Sequence, residues 1–180
     1  KQFMFNHFLK RRRYKLFQYQ RSYQSAINHF SSIDSIVGKD QVIIDEDGTY
    51  TTDWLKHYKG GSVVCFPRST EDISKILKYC NDNNIGVVPQ GGNTGLVGGS
   101  VGVSNELIIS TKFLNKIISI DTISGVLVCE AGCIIQNLMD YVSLYGYLLP
   151  IDLGSKGTCV IGGNIASNSG GMRVLKYGSW

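Results

Sequence analysis

Two glycine-rich segments contain most of the residues whose types and spacing could bind a ligand. The first, residues 89–100, reads Pro-Gln-Gly-Gly-Asn-Thr-Gly-Leu-Val-Gly-Gly-Ser. Glycines allow a positive φ and let a ligand approach the backbone N–H groups closely, and Asn93, Thr94 and Ser100 add short neutral donors. This first glycine segment is suited to a phosphate or pyrophosphate group. A surface turn without a ligand is the alternative.

A second glycine segment, residues 152–171, again combines paired glycines with serine, threonine and asparagine. Two such segments in one chain of 180 residues suggest a single extended ligand. A nucleotide cofactor with a pyrophosphate in its middle has this requirement, since it needs several close backbone approaches and few full charges.

The common nucleotide-binding motifs are absent. No two glycines are separated by a single residue, so the G-x-G-x-x-G fingerprint of dinucleotide-binding folds cannot be formed. The one Gly-Lys pair, Gly38-Lys39, is followed by Asp40 and not by the serine or threonine of a phosphate loop. The ligand site must therefore be of another type.

The basic residues are concentrated at the start of the chain. Seven of the 18 cations precede the first acid, Asp34, leaving 11 cations against 14 acids, so the net charge of +4 comes from the first residues alone. Basic residues interleaved with aromatic ones and free of acids predict a mitochondrial presequence over residues 1–24. A nucleic-acid-binding arm and a solvated tail are the competing interpretations.

The rest of the composition predicts a globular protein of one main domain. Hydrophobic residues make up 43% and charged residues 18%, and no apolar run reaches the roughly 18 residues that a membrane span needs. The five cysteines contain no Cys-x-x-Cys pair, which favours reduced thiols in the core. The three histidines are scattered, so neither a zinc cluster nor a catalytic triad can be assembled from them.

A β-α-β unit is predicted to position the first glycine segment. Residues 62–66 form a buried apolar run, and residues 69–72 have the spacing of a capping box. Apolar residues then recur on one helical face: Ile73, Ile76, Leu77 and Cys80. A second strand over residues 85–89 leads directly into the glycines, at the kind of strand end where open α/β sheets bind ligands.

A second set of elements leads to the second glycine segment. We predict a strand over residues 106–110 and a hairpin of residues 117–120 with 126–129. Apolar spacing predicts a helix that Gly146 ends, with the stripe Ile135, Leu138, Met139 and Val142. Since each lobe then ends in one glycine segment, the ligand is expected to lie between the lobes.

These segments resemble a known family. Residues 89–100, 152–171 and 173–179 resemble the FAD-binding domain of the vanillyl-alcohol oxidase and p-cresol methylhydroxylase (PCMH) superfamily, and within it the mitochondrial D-2-hydroxyglutarate dehydrogenases. The resemblance runs from about residue 53 to residue 179. It implies an α+β fold, a two-lobed PCMH-type FAD-binding domain incomplete at its C-terminus. The expected organisation is a basic tail (1–24), an N-terminal extension (25–52) and the FAD-binding domain (53–180).

The resemblance also implies which residues bind FAD. Neither segment contains a histidine, so the cofactor is predicted to be non-covalent, with the buried thiol of Cys159 the remaining candidate for a tether. The implied cofactor-binding residues are Pro89, Gln90, Gly91, Gly92, Asn93, Thr94, Gly95, Gly98, Gly99, Ser100, Asp152, Gly157, Thr158, Gly162, Gly163, Asn164 and Asn168.

The implied activity is oxidation of a D-2-hydroxy acid, first of all D-2-hydroxyglutarate to 2-oxoglutarate, in the mitochondrial matrix. Electrons would pass from the flavin to electron-transferring flavoprotein, with no nucleic-acid partner and no membrane span. The family's substrate domain, with its divalent metal, has no counterpart here, so we expect the 180 residues to be part of a longer protein and name no catalytic residue. A D-lactate or glycolate dehydrogenase and a truncated, inactive product are the alternatives.

Overall fold

The computed structural model describes residues 25–38, 40–103 and 106–179, which form two lobes. The predicted presequence over residues 1–24 lies outside the described residues. No helix in the described part of the chain is long and apolar enough to cross a membrane.

The first lobe is a four-stranded sheet with helices packed on one face. Its elements are the helices α1 (Ser25–Asn28), α2 (Phe30–Val37) and α3 (Thr70–Asp82) and the strands β1 (Val42–Ile44), β2 (Val63–Cys65), β3 (Val87–Gln90) and β4 (Leu107–Ser110). The strand order is β1-β2-β4-β3. Strands β2, β4 and β3 run parallel, and β1 is antiparallel to β2. The predicted strands at 62–66, 85–89 and 106–110 are confirmed to within two residues at each end.

The central strands are apolar because both of their faces are covered. Every residue of β2 and β4 is buried, which is typical of parallel strands enclosed on both sides. One face packs against α2 and α3 through Ile33, Ile76 and Cys80. The opposite face contributes Ile108 to a smaller cluster with Phe66.

Helix α3 begins where the capping signal predicts. The Ser69 hydroxyl accepts a hydrogen bond from the Asp72 N–H at 3.1 Å, which satisfies one of the free donors of the first turn. The predicted buried face is wrong at one position, since Leu77 is 46% exposed while Ile76 and Cys80 are fully buried. The stripe that contacts the sheet is therefore narrower than the i, i+3, i+4, i+7 pattern indicates.

The structure gives residues 25–52 a place within the first lobe. Strand β1 pairs with β2, matching Val42 with Cys65 and Ile44 with Val63. Helix α2 packs against α3, and the His29 ring hydrogen-bonds the Tyr79 hydroxyl there. This segment, assigned from sequence to an extension ahead of the domain, contributes to the same sheet and the same core.

The second lobe contains the remaining elements. These are the strands β5 (Ile117–Asp121) and β6 (Val126–Cys129), which form an antiparallel hairpin, and the helices α4 (Ile135–Ser143), α5 (Ile161–Ala166) and α6 (Val174–Tyr177). The predicted hairpin is confirmed. Helix α4 ends at Ser143, and the chain reaches the positive φ of Gly146 (76°) through a short turn three residues later.

Part of the second glycine segment folds as α5. Residues 161–166 form a short helix and not an open loop, so Gly162, Gly163 and Asn164 belong to regular structure. The helix packs through Ile161 onto the core of the lobe, which also contains Ile135 and Leu138. The parts of the segment before and after α5 have the irregular backbone that the glycine pattern predicts, with positive φ at Asn168 and Gly171.

All five cysteines are free thiols, as predicted. Cys65, Cys80, Cys133 and Cys159 are buried, and Cys129 is half-buried. Burial raises the pKa of the Cys65 thiol to about 12 and that of Cys80 to about 11. These two groups are therefore neutral core residues at physiological pH.

Candidate functional site

A cavity of about 490 Å³ lies between the two lobes. It opens at the carboxyl ends of the parallel strands β3 and β4, where Gln90 and Ser110 are register partners. The first glycine segment lines one side, and the second contributes Thr158 and Val160. Ligands of open α/β sheets bind at this end of the strands, so the topology makes this cavity the candidate site.

The two glycine segments are in direct contact, and the contact requires glycine. A Cβ on Gly92 would lie 2.2 Å from the carbonyl oxygen of Thr158, and a Cβ on Gly91 would lie 2.5 Å from the Val160 side chain. The partner of Gly92 is backbone and cannot move aside without shifting the second segment. These two glycines therefore join the lobes, beside the cavity that they line.

The side-chain amide of Gln90 joins the two ends of the first glycine segment. The side chain is 1% exposed, and its amide nitrogen donates to the carbonyl oxygens of Tyr50 at 2.7 Å and Ser100 at 2.8 Å. One amide thus connects both ends of the loop and attaches them to the chain ahead of β2. Buried carbonyls need such a donor, because leaving them unpaired is costly.

Asn93 and Ser100 make hydrogen bonds within the protein that hold the shape of the first glycine segment. Asn93 takes a positive φ of 51°, and its side-chain nitrogen donates to the Thr52 carbonyl at 2.8 Å. The Ser100 hydroxyl donates to the Asn93 side-chain oxygen at 2.6 Å. The two side chains predicted as donors to the ligand hold the loop in shape, and the backbone is the part of the loop left for a ligand.

Three glycines of the predicted set face open space. A Cβ on Gly95, Gly99 or Gly157 would meet no protein atom within 4 Å. By contrast, Gly98 has a φ of 70° and packs on the Tyr58 ring, so its requirement for glycine comes from the protein itself. A need for glycine at the open positions would have to come from a bound molecule.

Asp152 connects the start of the second glycine segment to its end. Its carboxylate pairs with the Lys156 ammonium at 3.2 Å and the Arg173 guanidinium at 3.6 Å. Its carbonyl oxygen lies so near Gly171 that a Cβ there would approach to 2.0 Å. The start and the end of the segment therefore meet at Asp152, which is engaged with its own neighbours.

The structure brings five of the predicted residues to the cavity and places the others around it. Those that line it are Gln90, Gly91, Gly92, Asn93 and Thr158. Gly162 packs against Ala131, and the buried Asn164 donates to the Cys159 sulfur at 3.5 Å. Both support the wall of the site from behind. The remaining residues do not line the cavity: Pro89, Thr94, Gly95, Gly98, Gly99, Ser100, Asp152, Gly157, Gly163 and Asn168.

Several cavity residues were missed from the sequence. Ser110 ends β4, Thr111 and Lys112 follow it, and Tyr50 precedes β2 in the chain. The rule that neighbouring parallel strands present their carboxyl ends together could have identified the residues after β4, once β4 was known to lie next to β3. Tyr50 gives no comparable local signal.

Gly132 is a further cavity residue that the sequence did not single out. A Cβ there would lie 1.9 Å from the Thr111 carbonyl oxygen and 2.7 Å from that of Leu114. Its N–H donates to the Leu114 carbonyl at 2.7 Å. This glycine allows the turn after β6 to pack directly on the chain that leaves β4.

The cavity carries little charge. Of the described residues that line it, Lys112 is the one with a charged side chain. The other titratable side chains on the wall are Tyr50 and Cys133, and burial raises the pKa of the Cys133 thiol to about 11. Within the described residues there is no group of three or more histidine, cysteine, aspartate or glutamate side chains that could hold a metal ion.

The fold and the site together are those of a protein that binds a nucleotide cofactor. A cavity between two lobes, bordered by glycine backbone at close approach and by neutral donors, fits a nucleotide cofactor with a diphosphate bridge. FAD has this shape and chemistry, and the open glycines at positions 95 and 99 leave space where a side chain would stand.

Comparison with known proteins identifies the family. The FAD binding domain family matches residues 61–180, and the chain belongs to it. The mitochondrial D-2-hydroxyglutarate dehydrogenase of Arabidopsis thaliana is 49% identical over 161 residues, covering 83% of this chain and 29% of that protein. Its counterpart in Danio rerio is 53% identical over 128 residues, covering 71% of this chain and 24% of that protein.

A solved structure supports the fold. Alkyldihydroxyacetonephosphate synthase superimposes with a TM-score of 0.74 at 21% identity, covering 83% of this chain and 33% of that one. The predicted α+β, PCMH-type fold is thereby confirmed. The chain spans 29% or less of the two dehydrogenases.

Proposed function

We propose that this chain is the FAD-binding part of a flavin-dependent D-2-hydroxyacid dehydrogenase, with D-2-hydroxyglutarate as the substrate and 2-oxoglutarate as the product. The observation that supports it is the contact of Gly91 and Gly92 with Val160 and Thr158, which borders a cavity of about 490 Å³ with glycine backbone from both lobes. The relatives named as D-2-hydroxyglutarate dehydrogenases, which are 49% and 53% identical to this chain, support the choice of substrate.

The proposed cofactor contacts follow from this geometry. Backbone groups of the first glycine segment, together with Thr158, hold the diphosphate and the neighbouring ribityl group, and Gln90, Asn93, Ser100 and Asp152 keep the two segments in shape. The cofactor is held without a covalent bond: the one thiol on the cavity wall, Cys133, stays protonated because its pKa is about 11. When bound, FAD accepts a hydride from the carbon that carries the substrate hydroxyl.

Replacing Gly99 with alanine tests the cofactor contact separately from the fold. The added methyl meets no protein atom within 4 Å, so the thermal midpoint should not change. Gly99 lies beside the cavity on the first glycine segment, which we propose the diphosphate follows, so the same methyl would keep FAD from this stretch of backbone. We expect the FAD affinity to fall about tenfold, the loss of roughly one good hydrogen bond. Flavin fluorescence titration of the folded chain measures this.

Gly154→Ala is the matched control, since its Cβ also meets open space and the position lies outside the proposed contact set. Equal FAD affinity in the two variants would contradict the proposed site. Acid precipitation of the complex should leave the flavin in the supernatant, and flavin retained in the pellet would contradict the non-covalent assignment.

We propose that oxidation of the substrate needs residues other than those that line the described cavity. Hydride removal requires a base within reach of the hydroxyl and cations for the substrate carboxylates, and the described cavity offers Lys112 as its one charge. We propose that a divalent metal and the substrate residues come from another part of the protein. Electron-transferring flavoprotein is the proposed electron acceptor.

Two assays test the activity. The 180-residue chain with FAD, D-2-hydroxyglutarate and an artificial electron acceptor should show no turnover above free flavin. The protein captured from its own cells with an antibody against this chain should oxidise D-2-hydroxyglutarate faster than D-lactate. Faster oxidation of D-lactate would favour the second candidate, since a Schizosaccharomyces pombe relative at 43% identity is named among the D-lactate dehydrogenases. A captured protein that holds FAD but oxidises neither acid would favour the alternative that this is a truncated, inactive gene product.

We propose the mitochondrial matrix as the location. The relatives are named as mitochondrial proteins, and the basic residues 1–24 have the composition of a presequence. A reporter fused to residues 1–24 should enter mitochondria and be shortened there. An uncleaved reporter in the cytosol or nucleus would count against the proposal.

A further inference from the structure

Among the described residues that line the cavity, one carries a full charge and none is acidic. Lys112 follows β4 and is exposed to solvent at the cavity, whose other lining residues are uncharged. Among the described residues the ion pairs are those of Asp152 with Lys156 and Arg173, so Lys112 has no carboxylate partner within 4.0 Å there. An ammonium group beside a ligand cavity without a counter-ion is suited to an anionic ligand.

Tyr50 holds the Lys112 side chain in place. The ammonium donates to the Tyr50 hydroxyl at 3.2 Å and lies 5.8 Å from the centre of its ring. This contact orients the ammonium without giving it a carboxylate partner. A phenol that accepts a hydrogen bond from lysine still has its own O–H to donate to a neighbouring anion.

Two backbone hydrogen bonds and one ring contact hold Tyr50 in place. Its N–H donates to the Asp45 carboxylate at 3.0 Å, and its carbonyl accepts from Gln90 at 2.7 Å. Its ring packs edge-on against Phe66, with the ring centres 5.1 Å apart. The Tyr50 and Lys112 pair is therefore positioned by the same buried amide that closes the first glycine segment.

We propose that Lys112 and Tyr50 bind the anionic oxygens of the cofactor diphosphate, and that they make the cavity select FAD over flavins without a diphosphate. This inference rests on the proposed function. The diphosphate carries two negative charges, while glycine N–H groups and neutral side chains supply partial charges only. The pair adds one hydrogen bond from an ammonium and one from a phenol to anionic oxygens, which strengthen diphosphate binding and leave the flavin ring untouched.

Lys112→Gln tests the charge. We expect the variant to bind FAD about tenfold more weakly than the unmodified chain at low salt, and to bind riboflavin equally well. Raising the salt from about 0.02 M to about 0.2 M should weaken FAD binding in the unmodified chain more than in the variant, because screening acts on the charge that the variant lacks. ADP, which carries the same diphosphate, should by itself also bind the variant more weakly than the unmodified chain.

Lys116→Gln is the matched control, because Lys116 lies on the same connection but does not line the cavity. It should bind FAD as the unmodified chain does. Tyr50→Phe keeps the ring and removes the hydroxyl, so we expect a smaller loss of about threefold.

The outcomes separate this inference from the proposed function. If Lys112→Gln changes the FAD affinity by less than about twofold, the proposed role of Lys112 is wrong, while the proposed FAD site is unaffected. An equal loss of riboflavin binding would place Lys112 at the ring and also overturn the inference. A folded chain that does not bind FAD would overturn both.

Discussion

Replacing Gly92 with alanine is expected to abolish FAD binding and to lower the free energy of unfolding by about 3 kcal/mol, the upper range for forcing a group into a packed interior. The added Cβ would lie 2.2 Å from the Thr158 carbonyl oxygen and 2.9 Å from its carbonyl carbon. Because both atoms belong to the backbone, the second glycine segment would have to move away from the first. The cavity between them would change shape.

Denaturant unfolding and flavin titration measure the two effects. The comparison with Gly99→Ala is informative, since that substitution should weaken binding without changing stability. Gly154→Ala, whose Cβ meets no atom within 4 Å, should change neither. A Gly92→Ala chain as stable as the unmodified one would show that the contact between the segments is looser than the structure has it.

Replacing Gln90 with leucine is expected to lower the free energy of unfolding by about 2 to 4 kcal/mol, because the carbonyls of Tyr50 and Ser100 would lose their common buried donor. Leucine has nearly the same volume, so the loss reports hydrogen bonding and not a cavity. FAD binding should fall as well, since the ends of the first glycine segment would no longer be joined.

Gln136→Leu is the control for this substitution. The Gln136 amide donates to Asp140 at 2.8 Å on the exposed surface of α4, where loss of a hydrogen bond costs within about 0.5 kcal/mol. Thermal or urea unfolding of the two variants side by side gives the comparison. Similar losses in both would contradict the role assigned to Gln90.

The local elements could be predicted from the sequence because their signals are local. The apolar runs of β2 and β4, the Ser69 cap of α3 and the β5–β6 hairpin are each specified by residues close together in the chain, and the structure has all of them. Leu77 shows the limit of this reasoning. A helical stripe can be read from spacing, but its width depends on the surface that it contacts.

The glycine segments were identified by composition, and their partners were not. Composition does not reveal that Gly92 meets Thr158 across 66 positions of the chain, or that residues 161–166 close into a helix. It also assigned Asn93 and Ser100 to the ligand, whereas their side chains bond each other. Short polar side chains have the same sequence signature whether they hold a ligand or a loop.

The sequence by itself determined the β-α-β start, the hairpin, the free thiols and the two glycine segments, and its resemblance to a known family implied the FAD-binding fold. Only the tertiary structure decided that β4 lies between β2 and β3, that residues 25–52 join the first sheet, and that Lys112 meets Tyr50 at the cavity. The reason is physical: periodicity and turn chemistry act over a few residues, while strand order and side-chain partners depend on which distant surfaces pack together.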